Sequence, residues 1–353
     1  MKKILSIILC VLMLASMVAL TGCGNTETPN NDPATNNGDA NNNGDTNNNG
    51  DATNNAAGLK FGAAVYVEKL KASDASADKD GEGVLDVTMA AVTVDADGKI
   101  VACRIDTMQN TVKYTTAGKA IGNPEAKSKR ELGNDYGMSS IGKKEWFEQI
   151  DALEGVVAGK TLDEVKALIA TDGKAADAVI TAGCTIGISS YINAVEKAYN
   201  AAAESTVTAD ATLKIGMYTV QDTKDATADK DGSNKVSVYG FAAAVDANGK
   251  VIKSFSDCVE ADFTFTTAGK STFDATKELK SKFEQGSNYG MVAYGGAKQE
   301  WYIQAMAFDA QCVGKTGAEI AALQAADGKG VESLQTAGCT IYVNGFVKAA
   351  SKI

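Results

Sequence analysis

The chain has 353 residues, with 34 basic against 44 acidic side chains and a formal net charge of −10. That acidic balance excludes nucleic acid as a partner, and no basic patch suits an anionic lipid surface. No histidine occurs anywhere, which removes His-dependent triads, His general bases and the usual zinc and haem ligand sets.

Residues 1–22 read as a secretory signal: Lys2 and Lys3, an apolar run from Ile4 to Leu20, then Leu20-Thr21-Gly22-Cys23. The run is short for a membrane span. Its ending resembles the lipobox of bacterial lipoproteins, which implies that Cys23 becomes the diacylated first residue of the mature chain. Acyl chains contribute about 0.8 kcal/mol per buried CH₂, so two of them anchor stably where one does not. The expected partner is therefore the membrane, through the lipid anchor, and the expected location is extracytoplasmic. Residues 23–57 are Asn, Asp, Gly and Thr with almost nothing apolar. They predict a disordered linker, on the order of 30 Å root-mean-square as a flexible chain.

Seven cysteines are present, with Cys10 in the signal and Cys23 at the lipidation site. The others, Cys103, Cys184, Cys258, Cys312 and Cys339, are odd in number, and only Cys184 and Cys339 correspond between the repeats described next. They indicate no disulfide framework, although this compartment allows one bridge.

Two related units follow, 58–203 and 204–353. Thr115-Thr116-Ala117-Gly118-Lys119 recurs at Thr266 to Lys270, Tyr136-Gly137-Met138 at Tyr289, and Glu145-Trp146 at Glu300. Each unit is long enough for its own core, so two homologous tandem domains are expected. In each, an apolar and β-branched run (Val84 to Val94; Val236 to Val245) reaches a two-residue turn candidate, Asp97-Gly98 or Asn248-Gly249, and returns as a β-hairpin. Helical periodicity follows: Trp146, Ile150 and Leu153 share a stripe, as do Trp301, Ala305 and Phe308, which puts both tryptophans in cores. Capping boxes Thr161-x-x-Glu164 and Thr316-x-x-Glu319 open a second helix. Strands first and helices later predict an α+β fold, an antiparallel sheet with capped helices in each domain.

Candidate chemistry concentrates in three repeated segments. Asp74, Asp78, Asp80 and Gly81, with Asp225, Asp229, Asp231 and Gly232, outline a calcium loop, but the position for a terminal bidentate acid holds Val87 or Val238; a solvated acidic turn is the competing reading. Lys127-Ser128-Lys129-Arg130 leading to Tyr136, and Lys280 to Tyr289, combine cations, glycines and a ring, as a phosphate and a stacked planar ligand would need; a charged helix with a glycine stop explains the same residues. Thr181 to Ile186 and Thr336 to Ile341 share the pattern Thr-Ala-Gly-Cys-Thr-Ile before a helical segment. Free amides at such a turn attract a phosphate or carboxylate, and Gly183 and Gly338 let one approach; an ordinary tight connection is the alternative. Gly159-Lys160-Thr161 lacks the earlier glycine of a phosphate-binding loop, since Glu154 stands there.

The turn and helix, together with the Asp97 to Ile100 hairpin tip, resemble the FMN-binding domain of extracytoplasmic flavoproteins, whose signature is roughly Asp-x-x-(Ser/Thr)-Gly-Ala-Thr. Gly183-Cys184-Thr185 and Gly338-Cys339-Thr340 occupy the Gly-Ala-Thr positions, and the two repeats cover nearly all of the mature chain. The resemblance implies FMN as cofactor, cofactor-binding roles for Gly183, Thr185, Gly338 and Thr340, the two threonines as covalent attachment sites, and a redox partner for electron transfer. Ala182 and Ala337 replace the motif's first hydroxyl residue, and Asp177 and Glu332 lie two residues too early for its acid. The competing expectation is a non-redox surface lipoprotein that binds a small ligand, such as one bearing a phosphate, or has a structural role. No nucleophile–base pair for a catalytic site is evident.

Overall fold

The run from Val84 to Val94 carries apolar residues on both faces, since a strand alternates its side chains, so both faces must be covered. This requirement sets the architecture. The computed structural model describes residues 58–123, 126–142, 144–170 and 174–353; the expected signal peptide, Cys23 and linker lie outside them. The first repeat contributes β1 (Leu59–Ser73), β2 (Gly81–Val94), β3 (Ile100–Tyr114) and β4 (Ala120–Ile121). Six helices follow: α1 (Lys129–Leu132), α2 (Ser139–Gly142), α3 (Trp146–Val157), α4 (Leu162–Lys166), α5 (Asp177–Ala182) and α6 (Ser189–Asn200). After β5 (Ala203–Val207), the second repeat supplies β6 (Thr212–Lys224), β7 (Gly232–Val245) and β8 (Val251–Phe265). It ends with α7 (Lys282–Gln285), α8 (Trp301–Cys312), α9 (Gly317–Ile320), α10 (Glu332–Thr336) and α11 (Asn344–Ala350).

The α+β class holds. All pairings are antiparallel, in sheets ordered β4-β3-β2-β1-β5 and β6-β7-β8. Helices cover the outer face of each sheet: Trp146, Ile150, Leu153, Ile192 and Val195 pack over the first, and Trp301, Phe308 and Phe346 over the second. Both tryptophans are buried, as their helical stripe predicts. Both Thr-x-x-Glu capping boxes form, and so do two more at Ser128–Glu131 and Ser281–Glu284. The hairpin tip departs from expectation. Asp95 donates its amide to Lys99 O at 2.9 Å, and its carboxylate accepts the amides of Asp97 and Lys99, so the loop is Ala96–Gly98 with Gly98 at positive φ. A third residue suits a glycine in the left-handed region followed by a bulge.

The inner faces of the two sheets meet. Val65, Leu85, Val87, Met89 and Met108 of the first repeat share one core with Met217, Val236, Val238, Val259 and Phe263 of the second. All described residues belong to one compact unit; each repeat has the core of its own that was expected, between its sheet and its helices, and the two share a further one. The boundary shifts as well. Strand β5 carries residues 204–207, expected in the second unit, yet it pairs with β1 through Leu59–Val207 and Phe61–Ala203.

Contacts between the repeats are reciprocal, as in the self-complementary interface of a two-fold dimer. Ala75 N donates to Gly269 O and Ala226 N to Gly118 O, both at 2.8 Å. Asp74 accepts from Ser271 N at 2.9 Å, and Asp225 from Ala120 N at 2.8 Å. Tyr114 stacks on Phe265 at 4.3 Å. Lys197 pairs with Glu284, and Lys352 with Glu131 at 2.8 Å. The repeated Thr-Thr-Ala-Gly-Lys segment is thereby explained: its glycine takes a positive φ where the other repeat's backbone leaves no room for a side chain. A Cβ on Gly269 would lie 2.5 Å from Thr115 O, whereas one on Gly249, also at positive φ, meets open space. Gly249→Ala should therefore cost about 1–2 kcal/mol for the backbone conformation alone. Gly269→Ala should cost roughly 1–3 kcal/mol more through overpacking. Urea unfolding of both variants checks this, and equal losses would contradict the tight-contact account.

Candidate functional site

The repeated Gly-Cys-Thr turn has a local role that its sequence only half discloses. Gly183 ends α5 with φ 108, and its amide donates to Ile180 O. Cys184 N donates to Val179 O, and Thr185 N to Gln149 Oε1 at 2.9 Å. In the second copy Gly338 N donates to Gln335 O, Cys339 N to Leu334 O, and Thr340 N to Gln304 Oε1 at 2.8 Å. All three amides are occupied in both copies. The expectation of free amides for an anion at Gly183 and Gly338 is thus corrected: these glycines stop a helix in the left-handed conformation. Each threonine is latched twice, since its hydroxyl also donates to the same glutamine, at 3.1 Å in Thr185 and 2.9 Å in Thr340. The glutamines sit four residues into the repeated Glu-Trp segments, in helices α3 and α8, and are buried. Sequence reasoning passed over them, although both repeats carry them at the same place.

Both threonines remain exposed. Beside Gly183 lies Lys144, whose Nζ would be 2.4 Å from a Cβ at that glycine; Gln299 stands at the matching place beside Gly338. The cations expected to support an anion go elsewhere. Lys129 is 5% exposed and lies over Tyr136 and Trp146 at 5.3 and 5.2 Å, and Lys282 repeats this over Tyr289 and Trp301 at 5.0 and 5.7 Å. Burial pulls the Lys129 ammonium below its ordinary value, opposed by Glu68, Asp86 and Asp106. The cations and rings of that segment satisfy one another through cation–π contact. The acidic turns likewise serve the repeat contacts through Asp74 and Asp225, and no acidic cluster suited to a metal occurs among the described residues.

A cleft formed twice between the repeats separates them chemically. In the first copy Glu154 of α3 accepts Ile105 N and Arg130 Nη2, each at 2.6 Å, and Arg104 Nη1 at 3.3 Å; Asp151 holds both arginines, at 2.8 and 3.3 Å. This cleft is lined further by Lys214, Ile215, Lys352 and Ile353. At the corresponding positions of the second copy stand Phe255, Phe283, Met306 and Asp309 in place of Arg104, Arg130, Asp151 and Glu154. The facing wall has lost bulk too, with Gly62 and Ala63 on β1 where the other cleft has Lys214 and Ile215 on β6. The result is an open apolar groove of about 360 Å³, lined by Phe61, Phe255, Phe283, Met306, Val313 and Asp309 among others. A second hollow of about 320 Å³ adjoins it past Ala63, Ala201 and Phe283.

Asp309 is 9% exposed and forms no ion pair among the described residues, although the Lys253 ammonium acts on it through space and opposes the effect of burial. It accepts Ser256 N at 2.9 Å, Ser256 Oγ at 2.6 Å and Ser254 Oγ at 3.4 Å. Burial pushes its carboxyl up to about 7 against these donors. The five described cysteines are all free thiols; burial raises them, Cys258 and Cys339 to about 12, which suits inert packing and not nucleophilic chemistry.

Comparison of the chain with protein-family models, curated proteins and solved structures gave no match.

The elevated Asp309 makes a pH prediction. Between its ordinary value of 3.8 and about 7, the folded chain holds a proton that the unfolded chain has released, so stability falls as pH rises through that window. Asp309→Asn should flatten part of this decline, leaving the share of Asp257, which burial also pushes to about 7. Melting temperatures from pH 4 to 8 test it; an unchanged slope in the variant contradicts it.

Proposed function

We propose that this chain is a lipid-anchored extracytoplasmic protein that binds a small, largely apolar ligand in the groove between its two repeats. The observation that supports the reading is the divergence of one duplicated cleft, in which arginines and acids are replaced by Phe255, Phe283 and Met306. The ion-paired cleft is self-sufficient. Its apolar counterpart keeps hydrocarbon in water at about 25 cal/mol per Å² of exposed area, which a ligand relieves. Its size falls at the low end of the roughly 300–1,000 Å³ usual for small-molecule sites.

Titrating a neutral solvatochromic dye such as prodan into the mature chain should give saturable binding. Phe283→Arg, which places the first repeat's residue in the second, should abolish it while the fold persists. Absence of saturable binding up to about 100 μM, far weaker than the micromolar range of ordinary sites, overturns the reading. The anchor is tested separately: Cys23→Ala should abolish incorporation of a fatty-acid probe, and retained label rules out that cysteine.

A second reading, FMN carried on Thr185 or Thr340 for electron transfer, is favoured by the exposure of these two residues and by Lys144 beside Gly183. FMN supplies the redox chemistry when bound; Lys144 would offset a phosphate ester on Thr185. Mass spectrometry of protein made in its native host should then show an adduct on one of these threonines. An unmodified mass rejects the covalent form.

A further inference from the structure

We propose that the groove's ligand carries a cation, an alkyl- or arylammonium or an amidinium, and that this cation pairs with Asp309 in the place the Arg130 guanidinium takes against Glu154. The inference rests on the groove being the binding site and names the chemistry that the groove selects.

The two clefts supply the argument. Both retain a buried carboxylate on the same turn of α3 or α8, and both give it a backbone amide from the facing strand, Ile105 N in one and Ser256 N in the other. The first cleft then completes the carboxylate with two guanidinium groups. In the second, Phe255 and Phe283 occupy the arginine positions and two serine hydroxyls are the remaining donors. The acid has been kept while its countercharge has been removed. A buried carboxylate without an ion-pair partner is pushed towards its neutral form.

No described side chain takes the place of the guanidinium groups against Asp309. Lys253 on β8, exposed at the rim, is a cation whose charge reaches Asp309 through space, without forming an ion pair with it. Lys197 on α6 is engaged by Glu284 and by Val65 O. Asp257 and Glu284 line the adjoining hollow, and Cys312 and Cys339, which flank Asp309, are thiols held neutral by burial. The acids thus outnumber the cations around the groove. Phe255 and Phe283 meet edge to face at 4.9 Å, and their rings can face a cation as Trp146 faces Arg130 at 5.9 Å in the first cleft. Gly62, Ala63 and Ala201 make room for an apolar body beside it.

The test compares 1-naphthylmethylamine with its neutral isostere 1-naphthalenemethanol, titrated into the full mature chain at pH 8. A charge-assisted hydrogen bond to Asp309 should favour the amine by about tenfold or more. Asp309→Asn should erase that preference while leaving the alcohol's affinity in place, and Phe283→Arg should abolish both. In the wild type the amine's advantage should grow as pH rises through about 7, where Asp309 ionises, while the alcohol's affinity stays flat. This second measurement keeps the proposal decidable if the Asn variant does not fold. Equal affinities for amine and alcohol at pH 8, or an amine preference that survives Asp309→Asn, overturn the cation inference and leave the groove reading standing. Failure of both compounds to bind overturns both.

Discussion

The structure depends on the burial of two inner sheet faces against each other. Each repeat makes a meander of long antiparallel strands whose outer face its own helices can cover, but no element of the same repeat is left to cover the inner one. Leu85, Val87 and Met89 lose contact with water because Val236, Val238 and Phe263 lie opposite. Apolar area buried in this way is the dominant favourable term in folding. It ties the two copies into one body with helices outermost and sheets between. The polar contacts at the rims, from Asp74, Asp225, Lys197 and Lys352, then set the register of that packing, each made twice in mirrored roles.

Duplication also separates structural from specialised residues. The glutamine–threonine latch, the lysine over its tyrosine and tryptophan, and the glycine against the opposite backbone are the same in both copies, as expected where the backbone itself demands them. The clefts are not the same. One is lined by four charged side chains that pair with one another. The other has an acid at the same place, with rings and a thioether at the remaining positions. An apolar groove with a buried carboxylate in its lining is the arrangement on which the proposed ligand site rests.

Much of the local structure was legible in the chain. Alternating and β-branched runs specify the hairpins, the i, i+4, i+7 stripes place Trp146 and Trp301 inside, and Ser/Thr-x-x-Glu patterns start helices, because each depends on neighbours within a few residues. The repeat itself is written in Thr-Thr-Ala-Gly-Lys, Tyr-Gly-Met and Glu-Trp. Even the fact that Val84 to Val94 needs cover on both faces can be read from its lack of alternation; what supplies the second cover cannot.

Tertiary structure decided the rest, for a reason that is the same in each case. Gly183 looked like a point of ligand approach because a glycine before a helical segment leaves the backbone accessible; its amide goes to a carbonyl of the preceding helix, and that of Thr185 goes to Gln149, thirty-six positions away. Gly118 and Gly269 are required by a backbone in the opposite repeat. The groove is built from β1, β8, α7 and α8, so the switch from Arg104, Arg130 and Asp151 to Phe255, Phe283 and Met306 is visible as three scattered differences between repeats and becomes one site only when those elements pack. Sequence by itself determined the elements, their caps and their duplication, since these follow from short-range hydrogen bonding and periodicity. Which surfaces meet, and which scattered residues line each duplicated cleft, was settled by packing between segments that the chain order holds far apart.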